Sequence, residues 1–125
     1  MPNDKLDNMF AKQEALMKRY AERDANFPVW PLTNTTSKQE QKFIHDTLIN
    51  AVSEIFEADR ALRNSKQHRE TNIAEFDREN FVEEIVDCMK FLLEVLLLVG
   101  VTPTELNNAH DEKDAVCHQR IDTKY

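Results

Sequence analysis

Apolar residues along the chain recur at helical spacing, and four segments carry the pattern. In the first, residues 4–24, Leu6, Met9, Phe10, Gln13, Leu16, Met17 and Tyr20 share a face, and Pro28 and Pro31 of NFPVWPLTNTT end the helix. Ser37 and Glu40 form a capping box for a second helix expected to reach residue 65. Its inner face is predicted to carry Phe43, Ile44, Leu48, Val52, Ile55, Phe56 and Leu62. The polar SKQHRETN leads to a third helix, from residue 72 or 77 to 99, with Gly100 as its C-terminal cap. Thr102, Pro103 and Glu105 have the order of N-cap, first helical position and box partner for a fourth helix to about residue 120. That helix is poor in apolar residues and is expected to lie on the rim or to become ordered through a ligand or a partner. No stretch alternates for long between apolar and polar, and no Asn-Gly or Asp-Gly turn occurs. The expectation is an all-α fold, an antiparallel bundle of about four helices, forming a single domain over residues 1–125.

The run FLLEVLLLV, residues 91–99, is apolar around its circumference apart from Glu94. It is too short to span a bilayer. A helix apolar all round is buried all round, and one small domain does not easily surround it. This predicts a homodimer or homotetramer, with Leu93, Leu96, Leu97 and Val99 divided between the chain's own core and a second chain, and Glu94 at a partner contact.

Charge narrows the function. The net charge is −7, which argues against non-specific nucleic-acid binding and suits cations. The single glycine excludes Gly-rich phosphate loops, so a phosphate ligand must be held by side chains or by metal. Cys88 and Cys117, distant and outside any C-x-x-C pattern, read as free thiols in a reducing compartment, without a zinc site. MPNDKLDNMF lacks the basic-then-apolar order of a signal peptide, and a cytoplasmic location is expected.

The chemistry is concentrated in two acidic pairs. SEIFEA spaces Glu54 and Glu57 three apart, and EEIVDC does the same for Glu84 and Asp87. Residues at i and i+3 share a helix face, so two antiparallel neighbours can present four carboxylates to one space. A lone E-x-x-E is commonly a solvated face; two, each among apolar neighbours, repel unless they meet a cation. Hard oxygen ligands select magnesium, manganese or calcium. A di-iron site would want Glu-x-x-His, and none of His45, His68, His110 or His118 has a Glu three positions before it. Lys90 can bridge Asp87 and Glu94 within the third helix.

E-x-x-E followed after about two dozen residues by E-x-x-D resembles the all-α nucleoside triphosphate pyrophosphohydrolases, the superfamily of MazG, the dCTP pyrophosphatases and the dimeric-type dUTPases. The resemblance runs from Ser37 onward, with Ser53 where the motif usually has a first glutamate. It implies that Glu54, Glu57, Glu84 and Asp87 bind Mg²⁺, with Mn²⁺ as a possible substitute, and that a deoxynucleoside triphosphate is cut between its α- and β-phosphates. The metal polarises the phosphoryl group, and Glu54 or Glu57 takes the proton of the attacking water. Arg63 and Lys66 resemble basic residues that the dUTPase branch holds near phosphates. Lys113, Arg120 and Tyr125 resemble its C-terminal motif, in which Asp114 and Cys117 stand where asparagines are usual. Gln13 matches a base-contacting glutamine, although Met17 replaces an expected asparagine. FPVWPLTNTTSKQEQ resembles phage relatives of MazG that act on purine deoxynucleotides, so the base stays open between uracil and a purine. Trp30 either stacks on a base or packs against helix one, and the four cations are either phosphate contacts or solvated helix-end charges. The rival class is a non-catalytic helical regulator that keeps the fold and acts through protein contacts.

Overall fold

Each helix starts at a residue whose side chain accepts one of the backbone N–H groups that a helix leaves unpaired at its first turn. Asp4 accepts from Leu6 (2.7 Å), Ser37 from Glu40 (3.2 Å), Asp77 from Asn80 (3.1 Å) and Thr102 from Glu105 (3.1 Å). The helices that follow are α1 (Lys5–Arg23), α2 (Lys38–Asp59), α3 (Arg78–Leu98) and α4 (Pro103–Asp122). The computed structural model describes residues 4–64, 66, 68, 70 and 75–123, and among these there is no strand. The alternative start of α3 at Asn72, the far end of the expected α2 at Ser65, and Tyr125 lie outside the described residues.

Two capping expectations hold with a difference in detail. Gly100, at φ +79°, follows α3 in the left-handed region. Its N–H reaches Leu97 O and that of Val101 reaches Leu96 O, the paired bonds that close a helix end. At α2 the box is half formed: Glu40 reaches back to the N–H of Asn34 rather than to that of Ser37. The length of α2 is a correction. It ends at Asp59, and Ala61 and Leu62 donate to carbonyls three residues back, so the backbone tightens into turns before Leu62 can join the helix.

α2 packs along α3, α1 also rests on α3, and among the helices α4 approaches only α1. The Leu32 N–H, just before α2, bonds to Leu98 O at the end of α3, while Glu54 meets Glu84 and Asp87 farther along; α2 and α3 are therefore antiparallel. Phe27 ties the connector to both neighbours, 6.0 Å from Tyr20 of α1 and 5.7 Å from Phe43 of α2, centroid to centroid.

The face of α2 turned to α3 is not the one expected. Thr47, Ala51 and Ala58 are buried with Glu54 half-buried among them, whereas Leu48, Val52, Ile55 and Phe56 are exposed, Phe56 by 60%. α3 repeats the inversion. Cys88, Leu93, Glu94 and Leu98 are buried, and Val82, Ile85, Val86, Met89 and Leu92 are exposed. Leu93, Leu96 and Leu97 are thus buried or half-buried within the chain; of the residues expected to meet a second chain only Val99 is exposed. The reason is steric: small side chains let α2 and α3 approach closely, and the bulky apolar rows are left outside. α4 has no buried residue, as its composition predicts. Among the described residues, no helix is long and apolar enough to cross a membrane.

Leu98 is fully buried. Leu98→Ala should lower unfolding free energy by about 2–5 kcal/mol. Leu92→Ala, the same change at a residue 42% exposed, should cost the isolated chain much less. Urea denaturation of both variants at high dilution compares them.

Candidate functional site

The inward face of α2 brings Glu54 opposite Glu84 and Asp87, which lie one turn apart on α3. One carboxylate oxygen from each of the three falls within 4.8 Å of the others, and all three side chains are half-buried. Glu57, one turn beyond Glu54, points to Arg60 instead, with 2.9 Å between Oε1 and the guanidinium. The structure thus gathers three of the four expected carboxylates and leaves Glu57 beside them with a cation of its own.

Three acids this close do not all ionise freely. The Glu84 carboxyl is held above the usual carboxylate range, first by its hydrogen bond with Glu54, then by desolvation and by repulsion from Glu54, Asp87 and Glu57. Protonation of Glu84 is therefore eased by its place in the α2–α3 contact. Three carboxylate oxygens drawn this close are the hard donors that a divalent cation such as Mg²⁺ would take.

Beside the cluster lies a cavity of about 300 Å³ between α1, α2 and α3. Glu54 and Asp87 form one wall, and Gln13 of α1 lines it too, 2% exposed and with its Oε1 lacking any hydrogen-bond partner. Tyr20, Lys90, Phe91 and Glu94 complete the lining. Glu94 is buried and its carboxyl is pushed up by desolvation. Its expected place at a partner contact is corrected: it lies inside the chain because it falls two turns after Asp87, on the same face. The bridging role expected of Lys90 is also absent, since Lys90 forms an ion pair with neither Asp87 nor Glu94. The i, i+3, i+4, i+7 spacing of Asp87, Lys90, Phe91 and Glu94 was the available signal for all four.

The remaining expected residues lie elsewhere. The Trp30 indole N–H donates to Glu14 Oε2 at 3.0 Å, and its ring meets Phe27 edge-on, so it packs against α1 and not on the cavity. Arg63 and Lys66 follow α2, exposed; Lys113 and Arg120 are exposed on α4. None of these four lines the cavity. A second, larger cleft of about 450 Å³, from Asn26 to Phe43, lies by the start of α2 and holds none of the expected residues. No protein-family model, curated protein or solved structure matches the chain.

The raised Glu84 carboxyl has a consequence for stability. Unfolded, Glu84 titrates near 4.5; folded, it keeps its proton to higher pH. The associated stability is complete below 4.5 and is lost as pH rises through the raised value. In EDTA, the melting temperature of Glu84→Gln should therefore fall less from acid to neutral pH than that of the unmodified protein. Equal slopes would mean that folding does not raise the Glu84 carboxyl.

Proposed function

We propose that the chain is a Mg²⁺-dependent deoxynucleoside triphosphate pyrophosphohydrolase of the all-α type that its motifs resemble, cutting a dNTP to the dNMP and pyrophosphate. The observation that carries this reading is the meeting of Glu54, Glu84 and Asp87 beside a cavity that Glu54 and Asp87 line together with the unsatisfied buried amide of Gln13. When bound, Mg²⁺ supplies the charge that polarises a phosphoryl oxygen and makes water a nucleophile at neutral pH. Glu54, Glu84 and Asp87 would hold it. Glu57, outside that oxygen set and one turn away, is the carboxylate left to take the water's proton. Arg63 and Lys66, just beyond Glu57 in sequence, and Lys113 and Arg120 on α4 are the cations available to offset charge on the leaving pyrophosphate.

The reading includes a homodimer or homotetramer. Ten large apolar side chains, Leu48, Ile49, Val52, Ile55 and Phe56 on α2 and Val82, Ile85, Val86, Met89 and Leu92 on α3, are exposed in one chain. Monomers rarely leave a continuous apolar surface of that kind uncovered. A second copy is the simplest cover, because a self-complementary patch closes on itself.

Pyrophosphate release from each dNTP in turn, with Mg²⁺, is the direct test. EDTA should abolish it, and Glu54→Gln or Asp87→Asn should reduce turnover by orders of magnitude while the helical signal persists. Mg²⁺ should also raise the melting temperature, by mass action on the native state. Full turnover in EDTA, or near-normal turnover in both variants, would remove the metal centre from the reading.

Assembly is checked separately by light scattering. The unmodified protein should be a dimer or larger at micromolar concentration. Phe56→Asp should be a folded monomer, because the side chain is already solvated in one chain. A monodisperse monomer for the unmodified protein overturns the interface.

A further inference from the structure

We infer that the inner wall of the cavity reads a guanine base through Gln13, Glu94 and Lys90, an assignment that takes from the proposed function only the position of the phosphates beside Glu54 and Asp87.

The wall carries unmatched hydrogen-bond acceptors. Gln13 is 2% exposed and its Oε1 meets no donor. A ligand with an N–H or O–H donor at this point would satisfy it. Glu94 is 7% exposed among apolar neighbours on α3, and the one influence on its carboxyl is desolvation. No hydrogen bond joins it to Gln13, so the two residues, from two helices, turn acceptors and no shared proton toward one cavity.

The arrangement selects among bases. Guanine presents three donors: the ring N1–H and one amino proton side by side, and the second amino proton turned toward N3. They match one Gln13 oxygen and the two oxygens of Glu94. Adenine and cytosine each place a ring acceptor next to their amino group, which would face a carboxylate oxygen and be repelled. Uracil and thymine have a single N–H between two carbonyls. The donors on guanine also favour the ionised form of Glu94 that burial disfavours.

Lys90 extends the match. It is half-buried, one turn before Glu94, lines the same cavity and forms no ion pair with Asp87 or Glu94. Its ammonium is a donor for O6 or N7, the acceptor edge of guanine and the usual target of a lysine on that base. Tyr20 and Phe91 supply aromatic surface in the same space, where a base can stack. The cavity, at about 300 Å³, is of the size that small-ligand sites take.

Calorimetry on the unmodified protein with Mg²⁺ and, separately, dGMP, dAMP, dCMP and dUMP tests the assignment. dGMP should bind on the order of tenfold to a hundredfold more tightly than the others, the range of one bidentate base contact. Glu94→Gln should remove that margin by weakening dGMP binding and relieving the repulsion of dAMP, and should raise the melting temperature of the nucleotide-free protein by removing a buried carboxylate. Should that variant not fold, Gln13→Met, which removes the orphan acceptor, should lower dGMP binding selectively. Equal binding of the four nucleotides, or an equal loss of all four in Glu94→Gln, overturns the assignment. The outcomes separate it from the hydrolase reading. Selective dGMP binding without cleavage of any dNTP keeps the guanine wall and rejects the enzyme; cleavage of dNTPs without preference for dGTP does the reverse.

Discussion

Glu54, Glu84 and Asp87 repel one another across the α2–α3 contact, and the packing that forces them together shapes everything else in the chain. The two helices meet through Thr47, Ala51 and Ala58 on one side and Cys88 and Leu98 on the other. Small side chains at such a contact allow close approach, and close approach is what crowds the acids. It also leaves little apolar area inside: the fully buried large side chains are Met17 and Leu98. Bulk that would have built a conventional core stands outside, on the opposite faces of the same two helices. The same crowding holds the Glu84 carboxyl above its usual range.

Local signals in the sequence were read correctly where a single residue type decides the backbone. Ser37 and Thr102 open their helices through their own oxygens, and Gly100 closes α3 in a conformation that a Cβ would crowd, 3.3 Å from Pro31. The all-α class and the rim position of α4 followed from the same pattern. The facing of α2 did not. Periodicity reveals that Leu48, Val52, Ile55 and Phe56 share a side, but it is silent on whether that side is covered by α3 or by something else. The acidic pairs carried the missing information, since carboxylates that meet across two helices require the apolar rows to point away. Likewise Glu94 was legible only as an interruption of an apolar run. Its register with Asp87, two turns earlier, puts it in the cavity, and that register has meaning only once Gln13 of α1 is known to lie opposite.

A helical regulator without catalysis would account for the uncovered apolar faces, because protein contacts need nothing more. It would not account for the interior. A native state is stable by only about 5–15 kcal/mol, and this chain buries Gln13 without a partner for Oε1, buries Glu94 without a counter-charge and crowds three acids. Each is a cost to the free protein, and the three adjoin one cavity. Costs concentrated in one place are what a ligand with both positive charge and N–H donors would offset together, whereas a scaffold selected only for its surface has no use for them. The interior therefore favours a binding or catalytic centre over a purely structural protein.

The same two helices serve both sides of this design. Their inner faces hold Glu54, Glu84 and Asp87, and their outer faces hold Phe56, Ile85 and the residues beside them. The spacing between the helix axes sets the distances among the carboxylate oxygens. The bulky apolar rows of both helices lie outside the α2–α3 contact. A second chain against the outer faces would bury the bulky rows and hold the hairpin from behind. Assembly would then stiffen the metal site without contributing a ligand to it, which gives the outward apolar rows a reason to accompany an acidic interior.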